Sequence, residues 1–455
     1  MYLICIFLVL VFFLTSVIRD RNILSPSSSF TFLYLLVFVL SAFGWYDIYR
    51  ASDDAYILIT LGILCFFLGC MVKRKPQNKK TLFSTGKVLD INDKLKAPIY
   101  WTMFVVCMVI LLYSAYTILM FFRSGGNIGD VYVLAAAATD GEENELTKNS
   151  FQILLESYIA YPVLYLLVPV SVVEFFNTYK KRYLVVAISL ALLRVILDAR
   201  RTYLVAFIMI VAFCFILHRK DLRYFDTTFQ NKIKKIYKYS IIIIILIGYV
   251  FILISELRSV AKTGEDQYST LQTLTYYYGG SVQFFEECIS KFKIEYTYGF
   301  SSLRGFFAPF FGVFKLFGFD SPDVLENANA YLSEIHSHVI NISPTKPYNA
   351  FATCFFQFYC DFGVVGIVFL SFTFGYYAQS RYDNMLILKN KRAETTYVFL
   401  FANILMLSFV TMETVLALNF WPLILVNLLY SAKPIRAQSK GLSHCQVRSI
   451  IRSNK

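Results

Sequence analysis

The sequence predicts an all-α, polytopic integral membrane protein of about eleven transmembrane helices carrying one large extracytoplasmic loop. Three observations predict it. The chain of 455 residues is 57% hydrophobic, 18% aromatic and only 16% charged, with a mean hydropathy of +0.56. No soluble domain of that length hides so much apolar surface, so lipid is the solvent for most of it. Apolar runs recur at roughly the 20 residues that a crossing needs. Lysine and arginine gather in alternate links between those runs. The ten-residue alternation of a membrane barrel is missing, which leaves helices as the way to satisfy the backbone in lipid.

In chain order the expected spans are 1–18, 30–46, 55–72, 99–122, 153–175, 183–199, 202–217, 239–255, 363–380, 396–412 and 415–430. The first has no Lys or Arg ahead of its apolar core, and Arg19-Asp20-Arg21 follows it. A secretory signal has the opposite polarity, so this segment is expected to stay attached. Residues 73–98, 180–182, 218–238, 379–395 and the tail from Lys433 to Lys455 are strongly basic. With Arg19 and Arg21 they fall on one side if the helices alternate, and they hold most of the 43 Lys and Arg. The opposite side takes Glu142, Glu143, Glu145, Glu265, Asp266, Asp320, Asp323 and Glu326. The positive-inside rule then sets the N-terminus outside and the C-terminus, with its basic tail 431–455, in the cytoplasm. The loop 256–348 is outside, within a single membrane domain spanning 1–455. The net charge of +13 is mainly this topology signal. No basic domain with its own fold exists, so nucleic acid is not an expected partner. Membrane lipid is, because basic links meet anionic headgroups.

The nine cysteines are scattered, with no CxxC, so neither zinc nor a redox pair is signalled and no metal is expected. Cys354 and Cys360 read as packing residues or as neighbours on the outer face. Asp53-Asp54 reads as a linker pair, and no P-loop or nucleotide-sugar DxD pattern marks the cytoplasmic links. No cofactor is implied.

Five groups on the outer face carry candidate chemistry. Asp198-Ala199-Arg200-Arg201-Thr202 is a tight turn with Arg194 one to two turns deeper in its helix. A guanidinium donates paired hydrogen bonds and keeps its charge, which suits phosphate. Arg200 and Arg201 also read as headgroup anchors. Arg194 is harder to dismiss, because charge within an apolar span is costly and usually faces a polar cavity. Glu256 and Arg258 either pair with each other or frame a cavity mouth. Arg304 opens the broken apolar run to Phe319, which reads as re-entrant or interfacial; it reaches a lipid phosphate or anchors the segment. Tyr276–Tyr278 followed by Gly279-Gly280 reads as a flexible joint beside aromatic faces.

The fourth group is Glu334-Ile335-His336-Ser337-His338, whose spacing puts Glu334 and His338 on one helical face or all three on one strand face. Histidine carries protons near neutral pH and a carboxylate beside it orients it; incidental histidines in a solvated loop are the plain alternative. The fifth runs from Tyr348 to Gly366 and is too long for one crossing, so it divides into an outer half-helix ending near Asp361 and a span from about Gly363. Asp361 then sits at the outer mouth, as a helix cap or as a base.

The Asp-Ala-Arg-Arg-Thr turn, the long late loop and the segment Asn349-Ala350-Phe351 through Phe358-Tyr359-Cys360-Asp361-Phe362-Gly363 to Gly366 resemble the Wzy-type oligosaccharide repeat-unit polymerases. These are the O-antigen, capsule and exopolysaccharide polymerases of bacterial envelopes. The paired arginine–glycine pattern of some members is absent. The resemblance implies a glycosyltransferase in the bacterial cytoplasmic (inner) membrane that joins undecaprenyl-pyrophosphate-linked oligosaccharides at the outer leaflet, with a chain-length regulator protein as a further partner. Within it, Arg194, Arg200, Arg201, Arg258, Arg304 and His338 are expected to bind substrate. His336 leads the candidates for the base, beside Glu256, His338 and Asp361. An O-antigen ligase, sharing the donor, and a flippase or transporter of lipid-linked oligosaccharides are the rival readings. The absence of an internal repeat weighs against transport.

Overall fold

The computed structural model describes residues 1–72, 93–126, 131, 134, 149–198, 202–218, 270–344, 346–348, 352–388, 390–406 and 417–431. Helices dominate, with a few short strands. The first are α1 (Tyr2–Asp20), α2 (Pro26–Ala42), α3 (Asp53–Met71) and α4 (Ala97–Arg123). Next come α5 (Ser150–Leu155), α6 (Tyr161–Thr178), α7 (Lys181–Asp198) and α8 (Thr202–His218). The loop contributes α9 (Thr270–Lys291), α10 (Arg304–Leu316), α11 (Asp323–Ser337) and the hairpin β2 (Ile340–Ser343) with β3 (Lys346–Tyr348). The chain continues as α12 (Thr353–Leu388), α13 (Lys391–Ile404) and α14 (Ala417–Leu429). Strands β1 (Lys94–Leu95) and β4 (Tyr430–Ser431) pair antiparallel.

Each expected span except 239–255, which lies outside the described residues, overlaps a described helix, and 407–412 of the span 396–412 lies outside them as well. Five described helical stretches are long and apolar enough to cross a membrane: Tyr2–Asp20, Asp53–Met71, Ala97–Arg123, Phe151–Thr178 and Thr353–Leu386. Pro26–Ala42, Tyr203–His218 and Ala417–Leu429 are shorter apolar helices.

Local chemistry moves several boundaries. α2 starts at Pro26 and not near residue 30, because proline suits the first helical position and the Ser25 hydroxyl accepts the Ser28 N–H at 3.3 Å. Asp53 and Asp54 are no linker pair. They form the first turn of α3 behind a Ser52 cap, where carboxylates favour the positive end of the helix dipole. α12 spans 353–388 as two helical halves that meet at a kink at Phe362 (φ −149°, ψ 23°) and Gly363 (φ 61°, ψ −142°), where the sequence divides it.

Among the described residues α3 and α12 pack with their backbones in close contact, and glycine makes it possible. A Cβ on Gly69 would overlap the Phe372 carbonyl, and one on Gly375 would overlap the Phe66 carbonyl. Small residues let backbones approach and gain dispersion contact where no hydrophobic effect drives them together.

The helices α9 to α11 and the hairpin gather at the end of the bundle where α2 stops and α3 starts. Tyr49 N–H donates to the Ile342 carbonyl at 2.8 Å, the Tyr276 hydroxyl to the Tyr46 carbonyl at 3.2 Å, and Ser52 N–H to Glu286 Oε2 at 2.8 Å. Gly279 and Gly280 are not a flexible joint. They lie inside α9, where a Cβ would meet Ile48 and the Leu40 backbone, or Ile342 and Tyr348. At the opposite end, Lys391 bonds Glu174 at 2.8 Å and His218 meets Glu394 at 2.7 Å, tying α6, α8 and α13 together.

Candidate functional site

The site begins with a π turn. Glu156–Ala160 joins α5 to α6 with wider hydrogen-bond spacing, and such turns often mark functional positions because they re-aim side chains. Here Glu156 is turned inward and is 2% exposed. Its carboxylate accepts from Ser114 of α4, from Gln152 Nε2 at 3.2 Å and from the Tyr161 hydroxyl at 2.8 Å.

Arg194 is linked to Glu156 through Tyr161. Its guanidinium lies 3.4 Å from the centre of the Tyr161 ring and 4.4 Å from that of Tyr203, and Nη2 donates to the Tyr203 hydroxyl at 2.7 Å. Aromatic faces stabilise a desolvated cation through their quadrupole, by about 2 kcal/mol. Arg194, 3% exposed, also lines a half-open pocket. Leu164, Val168, Phe207, Ile210 and Phe399 give its apolar wall, and Tyr203 and Asn403 are among its few polar members. The cavity lies among α6, α7, α8 and α13. A guanidinium beside Tyr203 and Asn403 on a largely apolar wall has the chemistry to meet the anionic head of an amphiphile.

Arg304 stands at the first position of α10, an amphipathic helix laid against α14 through Phe306, Phe310, Phe420 and Trp421. Arg304 Nε donates to Asn329 Oδ1 of α11 at 2.5 Å. Burial pushes its guanidinium down from the ordinary value and the nearby Tyr158 hydroxyl opposes that shift. Arginine has enough reserve to stay charged. Tyr158 belongs to the same π turn as Glu156 and also packs under Gly312 of α10. The π turn thus faces the Tyr161–Arg194 network on one side and α10 on the other.

Asp361 does not cap the helix after it. It is fully buried, and its oxygens accept from the Thr297 hydroxyl (2.6 Å) and from the N–H groups of Gly299 (2.9 Å), Ser301 (3.0 Å) and Ser302 (3.0 Å). His338 lies just past the end of α11, so Glu334 offers it a backbone carbonyl at 2.8 Å and not its carboxylate. The carboxylate that faces His338 is Glu287 of α9, with Nε2 and Oε1 3.6 Å apart. Phe292 and Phe284 flank the imidazole at 5.4 and 6.4 Å. His336 falls in the last turn of α11, and its side chain is outside the described set. Arg200, Arg201, Glu256 and Arg258 lie outside the described residues. Cys354 and Cys360 are buried, and neither is in a disulfide. Among the described residues no cluster of three or more His, Cys, Asp or Glu could hold a metal ion.

Glu156, Glu287, Tyr161, Tyr203 and Asn329 are not among the expected site residues. For Glu156 the signal was there: a carboxylate inside the apolar run 153–175 marks function as strongly as Arg194 does. Glu287 and Asn329 carry no such signal, because their partners come from other elements. No family model, curated protein or solved structure matches this chain.

Proposed function

We propose that the chain is a polytopic membrane glycosyltransferase that polymerises undecaprenyl-pyrophosphate-linked oligosaccharide repeat units at the outer leaflet of the bacterial cytoplasmic membrane. The observation that carries this reading is buried Arg194 on the wall of a mostly apolar, half-open pocket. A lipid-linked pyrophosphate has the matching chemistry, a hydrocarbon chain ending in concentrated negative charge. The eleven-span topology belongs to the same reading, with the N-terminus outside, the C-terminus in the cytoplasm and α9–α11 over the outer face, as the charge alternation of the links supports.

In this reaction the acceptor hydroxyl oxygen attacks the anomeric carbon of the donor chain. The bond from that carbon to the pyrophosphate oxygen breaks, its electron pair leaves with the lipid pyrophosphate, and the hydroxyl proton passes to a base. Fixed guanidinium groups stabilise the charge that develops on the leaving group. Arg194 and Arg304 take that role, with Arg200, Arg201 and Arg258 as further phosphate ligands. His338, with the Glu287 carboxylate 3.6 Å from its Nε2, is the base among the described side chains, and His336 and Glu256 complete the set to be tested. A chain-length regulator protein is the proposed partner.

The test uses purified protein in liposomes with a short undecaprenyl-pyrophosphate-linked repeat unit, the products being resolved by gel and mass spectrometry. A ladder of lipid-linked oligomers, formed much more slowly by Arg304→Ala, is expected. Transfer of the glycan to a lipid A core and no ladder would point instead to a ligase. Movement of the lipid-linked sugar between leaflets without any transfer would sink the enzyme reading.

A further inference from the structure

We infer that Asp361 is a positioning residue whose buried carboxylate fixes the turn that delivers Arg304 to the phosphate, a role that rests on the polymerase reading above. The carboxylate binds four donors, all of them within residues 297–302, and Arg304 opens α10 two residues later.

The turn needs such an anchor. Tyr298 (φ 50°) and Gly299 (φ 95°) are both left-handed, and for tyrosine that conformation is costly without outside support. With both residues turned, the N–H groups of Gly299, Ser301 and Ser302 converge on one point, and a concave array of backbone N–H groups suits an anion. The Asp361 carboxylate occupies that point. The backbone grips as well: Thr297 N–H donates to the Cys360 carbonyl at 3.0 Å and Tyr298 N–H to the Asp361 carbonyl at 3.3 Å.

α12 breaks directly after these contacts, at Phe362 and Gly363. The half-helix 353–361 is therefore joined to the turn and set off from the rest of α12. Arg304 is held from its other side by Asn329 of α11. Two anchors, one at the backbone before the residue and one at its guanidinium, thus set where the cation stands. A residue so engaged serves the reaction through Arg304 and does not touch the acceptor hydroxyl.

Asparagine is the informative replacement, since it keeps the shape. Oδ1 accepts three donors and Oδ2 accepts the Ser302 N–H, so an amide nitrogen in either place faces a donor with a donor. The experiment measures kcat and KM for the liposome reaction with Asp361→Asn, Arg304→Ala and the double variant. It also measures binding of undecaprenyl pyrophosphate alone, by thermal shift. Asp361→Asn is expected to lower kcat about 10- to 100-fold with KM little changed, as a displaced catalytic group does. The double variant is expected to be no slower than Arg304→Ala, because a residue that works through another has nothing left to act on. Asn329→Ala should show the same masking. Should Asp361→Asn not purify as a monodisperse protein, Thr297→Val removes one donor and should give the same pattern on a smaller scale. A double variant that loses the product of both single factors, or a silent Asp361→Asn, overturns the role. An unmodified protein that neither binds undecaprenyl pyrophosphate nor makes a ladder overturns the polymerase reading itself, and this role with it.

Discussion

Arg194→Ala is expected to lower kcat for polymerisation by about two to three orders of magnitude, the usual cost of losing one preorganised group that stabilises transition-state charge. Arg194→Lys should recover little of it. The guanidinium lies between the rings of Tyr161 and Tyr203 while donating to the Tyr203 hydroxyl, and a planar fork does both at once. An ammonium is a compact, strongly hydrated point charge and holds neither geometry. The fold should survive, because alanine here widens a cavity that already exists and removes a desolvated cation. Steady-state rates on the lipid-linked repeat unit, read beside the melting temperature in detergent, separate the two effects. Wild-type rates in a well-folded Arg194→Ala protein would remove this residue from the chemistry.

Tyr161→Phe tests the same network more gently. It keeps the aromatic face under Arg194 but removes the hydroxyl that donates to Glu156 at 2.8 Å. That leaves a buried carboxylate short of one donor, at a cost of about 1–3 kcal/mol. A fall in melting temperature with most of the rate retained is the expected pattern. A rate loss as large as that of Arg194→Ala would instead give the hydroxyl itself a part in catalysis.

Much of this was legible in the residues, and the reasons for the rest are physical. Apolar runs announce helices because each run carries its own signal, and so the described spans sit close to where composition sets them. Arg194 was legible because charge is rare in such a run, and Asp361 because the helix around it was too long for one crossing. The partners of Asp361 were not, since Thr297 to Ser302 stand about sixty residues earlier and only the folded loop brings them together. His338 shows the same limit. Sequence spacing offered Glu334 as its carboxylate, but α11 ends at Ser337, and that single boundary turns the imidazole toward Glu287 of another helix. The cavity is the least legible feature, because four helices build it and no one of them reveals it.

Gly375→Leu is expected to have the largest effect on stability. A Cβ at this position overlaps the Phe66 carbonyl, and a Cβ at Gly69 overlaps the Phe372 carbonyl, so each glycine sits against the other helix's backbone. A flexible side chain can swing aside, but a helix backbone yields only if the whole pair separates. Overpacking inside a core usually costs about 1–3 kcal/mol, and a contact with main chain on both sides belongs at or beyond the upper end. For Gly375→Leu the expected result is loss of the monodisperse peak in size-exclusion chromatography. The alanine variants are the finer instrument. Gly69→Ala or Gly375→Ala alone must push α3 and α12 apart, and once they are apart the second methyl meets less resistance. Gly69→Ala with Gly375→Ala should therefore lower the melting temperature by less than the sum of the single effects. Val365→Leu, at a position 71% exposed on the same helix, should leave it unchanged. Additive losses would mean that each glycine yields locally and that the two are not one seam. A Gly375→Leu protein that melts like the unmodified one would mean that α3 and α12 do not pack this closely at all.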